Sequence, residues 1–186
     1  MDNRVQRSIA YLKAEIPASA PDPVVSLSFE DSPVLRKFVP GLLAAYLVDD
    51  GDRFSYIQGR DLREAGVGED QLHFQAVSNL ARFADGKLRI QRSGLVWALF
   101  LDGNLEASLI MLDGLWDGSL REYVRSPVVA VPARDVIAFC DSSSADGISE
   151  LRAVVDRVWP GGNHLLSRDL YRRQERNWHV VVQTSA

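Results

Sequence analysis

Four apolar residues near the start, Val5, Ile9, Leu12 and Ile16, recur at spacings of four, three and four and predict one narrow helical stripe. Pro17 ends that helix, and the following PASAPDP segment, through Pro23, reads as a linker. Weak alternation from Val24 to Val34 predicts a short edge strand that Pro33 closes. The apolar run from Gly41 to Asp49 predicts a strand. Asp50–Gly51 then offers a hairpin turn back along Arg53 to Ile57. Asp61 to Gly66 predicts a single helical turn, capped by Asp61 and ended by Gly66. The next helix has Glu69 and Asp70 in its first turn and turns Leu72, Ala76, Leu80 and Phe83 to one side, supported by Val77.

The middle of the chain is rich in strand signals. Lys87 to Arg92 alternates, with Leu88 and Ile90 on one face, and Leu95 to Leu101 is apolar on both faces, which predicts a central, covered strand. Asp102–Gly103 predicts a turn, and Leu105 to Leu112 a strand running back. Leu112, Leu115, Trp116, Leu120 and Tyr123 step at helical spacing, but Gly114 and Gly118 weaken them to a broken helix. Val128 to Val131 and Asp135 to Cys140 predict two strands joined around Pro132–Ala133–Arg134. A helix with Ile148, Leu151, Val155 and Val158 on one stripe follows, and Pro160–Gly161–Gly162 stops it. Asp169 to Arg172 and Asn177 to Gln183 predict a final hairpin. Hairpins alternating with isolated helices argue for an α+β fold: an antiparallel or mixed sheet with helices packed on it, plus an N-terminal helical arm. The expected organisation is a helix and linker over 1–23 and one α+β domain over 24–186.

Composition narrows the function classes. The chain has 186 residues, of which 46% are hydrophobic, enough for a core without covalent staples. Its 21 Lys+Arg against 25 Asp+Glu give a net charge of −4, which argues against nucleic acid as the partner. No apolar run reaches the length of a membrane span, and Met1 to Pro17 lacks an apolar signal core, so the expectation is a cytoplasmic protein with no membrane partner. Cys140 is the one cysteine, so an intramolecular disulfide and a multi-cysteine metal centre are excluded.

Tests for familiar chemistry narrow it further. Gly-x-Ser-x-Gly and the glycine-rich phosphate loops are absent. His73, His164 and His179 lack metal-ligand spacing, and Asp49–Asp50–Gly51–Asp52 lacks the alternation and distal glutamate of a calcium loop; no metal and no cofactor is expected. The six Asp–Gly pairs read as turn chemistry. The one strand-to-helix turn with reactive residue types is Cys140–Asp141–Ser142, to which His164 is the conceivable base. Arg168, Arg172, Arg173 and Arg176 stand beside Tyr171 and Trp178, and with Trp159 they make the C-terminal hairpin the candidate face for an acidic protein partner.

Several segments together resemble the YtpQ-like family of uncharacterised bacterial proteins. They are GLLAAYLVDDGDRFSYI (from Gly41), DLREAG (from Asp61), QLHFQAVSNL (from Gln71), LDGNLEASLIML (from Leu101), VVAVPARDVIAFCDSSS (from Val128) and LSRDLYRRQERNW (from Leu166). The resemblance runs from about Phe38 to Val181 and implies a bacterial, cytoplasmic setting, without catalytic residues to carry over. Among the family-like positions, Asn79, Asn104, Ser108, Pro132, Arg134, Asp135, Asp141 and Ser142 are polar or turn residues that packing alone does not explain. Asn79 is a poor mid-helix residue whose amide is expected to bond a neighbouring loop.

The functional expectation is a non-enzymatic protein-binding or regulatory module, with a homo-oligomer possible. Its binding residues would be Arg168, Arg172, Arg173, Arg176 and Trp178. The alternative is a hydrolase or transferase with its site at Asp141 and Ser142, beside Cys140, with His164.

Overall fold

The computed structural model describes residues 4–15, 28–51 and 53–182. The chain divides into two compact units, Met1–Phe83 and Ala84–Ala186, where the sequence reading has one domain over 24–186.

The first unit is built on strand β3 (Leu42–Asp49). Helix α1 (Arg4–Arg7) lasts one turn, and strand β1 (Ile9–Ala14) follows it. This corrects the expected N-terminal helical arm: Ala10 and Leu12 are both fully buried, a period of two, and β1 runs antiparallel to β3 from Ile9 opposite Leu47 to Ala14 opposite Leu42. Ile16 and the linker Pro17–Pro23 lie outside the described residues. The described part of the expected edge strand is a 3-10 turn, Phe29–Asp31, capped by Ser28, and Pro33 makes only an isolated bridge to Gln58. Strand β2 (Leu35–Val39) pairs with β3 opposite β1, a strand without alternation because most of its side chains are exposed. Strand β4 (Phe54–Tyr56) continues along the same edge of β3, as the hairpin signal predicts.

Helix α2 (Gly59–Ala65) begins with a capping box in which the Asp61 carboxylate accepts the Gln58 N–H at 2.8 Å. Gly66, at φ 67°, ends it. Helix α3 (Glu69–Ala84) buries Leu72, Ala76 and Leu80 completely. Asn79 does what its position suggests, donating to the carbonyls of Gln6 at 2.8 Å and Ser8 at 2.7 Å and so tying α3 to the start of β1. His73 Nδ1 lies 3.0 Å from the buried Tyr46 hydroxyl.

The second unit is a six-stranded antiparallel sheet in the order β10–β9–β7–β8–β6–β5. Its strands are β5 (Arg89–Ser93), β6 (Val96–Phe100), β7 (Pro127–Ala133), β8 (Val136–Asp141), β9 (Leu170–Gln174) and β10 (Asn177–Val180). The predicted strand from Leu105 to Leu112 is instead a 3-10 segment, Ala107–Met111, whose residues are all buried, so apolarity on every side marks enclosure there and not a strand. Helix α4 (Asp113–Asp117) and a 3-10 turn, Ser119–Glu122, form the expected broken helix. Pro132 and Ala133 belong to β7, and the turn is Arg134–Asp135.

Each face of this sheet is covered differently. Helix α5 (Ala145–Val158) packs Leu151 and Val155 onto Val96, Val128, Ala130, Ala138, Cys140 and Leu170. The opposite face meets the 3-10 segment and α4, where Trp116 stacks edge-on against Phe139 at 5.3 Å and Trp178 at 5.2 Å. α5 does not span the sheet. Strand β6, expected to be covered throughout, buries Val96 and Leu99 but leaves Ala98 half-buried and Phe100 40% exposed.

Candidate functional site

Strand periodicity breaks up the predicted arginine face. Successive β9 residues point to opposite sides of the sheet, so Tyr171 and Arg173 face the Trp116 side while Arg172 faces the α5 side. Arg173 is 7% exposed and gives two hydrogen bonds to Asp117, at 3.1 and 3.0 Å, and one to Asp113 at 2.8 Å. Its guanidinium also lies 5.3 Å from the Trp178 ring. Trp178, expected at the rim, is 7% exposed and donates its indole N–H to the Ile110 carbonyl at 3.1 Å. Both are core residues of the second unit. Asp113 and Asp117, read from sequence as turn residues, supply the charges that allow Arg173 to be buried. Arg168 stacks on Trp159 at 5.0 Å, and exposed Arg176 reaches Asp117 at 3.3 Å. The five residues therefore do not form one surface.

The Cys140–Asp141–Ser142 turn is also committed locally. Cys140 is 1% exposed, and burial pushes its thiol up to about 11, the reverse of a reactive thiolate. The Asp141 carboxylate accepts the Ser143 hydroxyl and then the N–H groups of Ser143, Ser126 and Arg125, which together hold its pKa down at about 2. The Ser142 hydroxyl donates to Ser126 at 2.9 Å. His164 is not beside them. Its carbonyl accepts the Arg134 N–H at the turn end of the β7–β8 hairpin, whereas Asp141 pairs with Pro127 at the open end. The length of β8, about 17 Å, lies between. The structure does not bring the expected nucleophile and base together.

What the second unit does assemble is a groove along one flank of α5. Its floor is the part of the sheet that the helix leaves bare, Ala98 and Phe100 of β6 with Val136 of β8, and it is bordered by Ala138, which α5 covers. Its wall is the α5 stripe Glu150, Ala153, Val154 and Arg157, spaced so that all four share one side of the helix. This apolar cavity has a volume of about 330 Å³. Past Val136 and Arg157 it continues into a polar cavity of about 570 Å³ where Arg134, Asp135 and His164 converge from the β7–β8 turn and the loop after α5.

The charges in the two units contrast. In the first, a cleft of about 540 Å³ is lined by Arg4, Asp50, Ser55, Arg60 and Asp61. There Arg4 already meets Asp50 at 3.3 Å, Asp61 at 3.1 Å and Ser55 at 2.8 Å, and Arg60 meets Asp31, while Arg53 alone among the lining arginines has no side-chain partner among the described residues. In the groove of the second unit, neither Arg134 nor Arg157 has a side-chain hydrogen bond or ion pair among the described residues. Phe100 and Arg157 fall inside a predicted strand and a predicted helix and carry no motif that singles them out. The signal was the second stripe on the predicted helix, Glu150 to Arg157, running beside the buried one.

Comparison with protein families, with curated proteins and with solved structures found no match.

Proposed function

We propose that this chain is a non-enzymatic protein-binding or regulatory module of the bacterial cytoplasm, related to the YtpQ-like proteins, and that the groove beside α5 is its recognition site. The observation that carries this reading is the bare strip of sheet from Ala98 to Phe100 under the half-buried Val154, with Phe100 40% exposed at its margin. Apolar surface arranged as a concave strip with a polar margin is the form that partner sites take. The local commitments of Cys140, Asp141 and Ser142 support binding over catalysis. The partner is a protein and not a nucleic acid, in keeping with the net charge of −4.

A photoreactive phenylalanine analogue at Ala153, with a second protein carrying it at Glu175 as control, tests the reading in cells. The expected result is a protein adduct from position 153 and not from 175, identified by mass spectrometry. The identified protein, once purified, is then expected to bind the wild type and not Ala153→Trp, which fills the groove. Equal adducts at both positions, or equal binding to Ala153→Trp, would overturn the assignment.

A further inference from the structure

The two ends of the groove differ in chemistry, and the difference specifies what lies in it; this step rests on the groove being the recognition site. From Glu150 to Arg157 the wall rises about 10 Å, which matches about three residues of an extended chain. At the Glu150 end the β5–β6 turn closes over the wall. Glu150 accepts the Leu95 N–H at 2.8 Å, and a Cβ added at Gly94 would meet the same carboxylate oxygen at 2.5 Å. The carboxylate there is engaged and gives that end a negative charge. At the other end the groove opens into the polar cavity, where Arg134 and Arg157, two guanidinium groups without a side-chain partner among the described residues, stand with one acidic side chain, Asp135. A guanidinium presents a planar fork of donors suited to carboxylate, and no described side chain engages either of these two. The neighbouring floor is apolar, so a carboxylate placed at that mouth is partly shielded from water, which strengthens its attraction to the arginines.

We infer that the groove takes an extended segment of a partner protein in which about three apolar residues are flanked on one side by acidic side chains. The apolar side chains that point inward, every second one of an extended chain, lie on Ala98, Phe100 and Val136, and the acidic ones reach Arg134 and Arg157. Glu150 disfavours the reverse placement, because an acidic group at the closed end would face a like charge. The same two arginines disfavour a basic segment at the open end by like-charge repulsion.

Fluorescence anisotropy with blocked peptides tests this on the full chain. The probe is fluorescein-labelled Gly-Ser-Val-Leu-Val-Asp-Glu with an amidated C-terminus. The comparison peptides replace Asp-Glu by Lys-Lys, replace Val-Leu-Val by Ser-Gly-Ser, or end in Val-Leu-Val with a free carboxylate. The acidic apolar peptide is expected to bind about tenfold or more tightly than each of the others. Arg134→Glu with Arg157→Glu is expected to remove that preference, and Ala153→Trp to remove binding, with circular dichroism unchanged in both. Equal binding of the lysine peptide overturns the acidic assignment while leaving the groove standing if Ala153→Trp still abolishes it. Equal binding of the free-carboxylate peptide overturns the side-chain assignment in favour of a chain terminus. Absence of binding by the acidic peptide, or binding indifferent to Ala153→Trp, overturns the inference as a whole.

Discussion

Arg173 and Asp117 meet through two parallel hydrogen bonds, Nε to Oδ1 at 3.1 Å and Nη2 to Oδ2 at 3.0 Å, although 56 residues separate them. The guanidinium side is 5% exposed while Asp117 and Asp113 are 39% and 52% exposed, so the pair is unequal. Removing both aspartates strands a buried charge, and Asp113→Ala with Asp117→Ala is expected to cost about 3–5 kcal/mol. Arg173→Met leaves two carboxylates that water can solvate and is expected to cost only about 1–2 kcal/mol. Urea unfolding measures both, and equal losses would contradict the asymmetry.

Asp141 links acid stability to one loop. Its carboxyl titrates at about 2 in the fold, against the ordinary 3.8 when unfolded. The stability it confers is therefore complete above the unfolded value and is lost as pH falls from about 4 to about 2. Asp117, lowered first by its hydrogen bond to Arg173, acts in the same direction. Asp141→Ala is expected to cost about 1–3 kcal/mol at neutral pH and to flatten the stability profile across that acid range. A variant with the wild-type slope would show that the N–H groups of Arg125, Ser126 and Ser143 do not depend on this carboxylate.

Asn79 holds α3 to the segment before β1 through a single amide. Asn79→Ala leaves the carbonyls of Gln6 and Ser8 without their donor, at an expected cost of about 1–3 kcal/mol. Hydrogen exchange is expected to quicken along Ile9–Ala14. Unchanged exchange there would separate Asn79 from the pairing of β1.

Cys140 offers a check on the turn read as structural. With the thiol buried and pushed up to about 11, modification by an aromatic disulfide reagent at pH 8 is expected to be slow in the native protein and immediate in urea. Fast modification of the folded chain would instead mark the turn as reactive.

The elements legible in the sequence are those whose pattern and turn chemistry agree, such as the Leu42–Tyr56 hairpin, the Leu72–Ala76–Leu80 face and the β7–β8 pair. Strand β1 was not, because its inward positions are Ala10 and Leu12. The small Ala10 weakens the period of two, while Val5, Ile9, Leu12 and Ile16 imitate a helix. The 3-10 segment under the second sheet is enclosed all round, so Leu105 to Leu112 carries no period that distinguishes it. The five residues of the candidate face are divided for a different reason. Burial of Arg173 depends on Asp113 and Asp117, remote partners that no local spacing reveals, while its position on the same side of β9 as Tyr171 was readable. The groove lay half in view: the Glu150–Arg157 stripe is sequence, but the bare floor exists only because α5 stops short of β5 and the outer half of β6.

Nuclear magnetic resonance shift mapping with the amidated Val-Leu-Val-Asp-Glu peptide tests the groove most directly. The account predicts perturbations confined to Val96–Phe100, Arg134–Ala138 and Glu150–Arg157, diminishing as ionic strength rises because the arginine contacts are partly exposed. Perturbations centred on the hairpin from Arg168 to Trp178, or in residues 4–83, would contradict it.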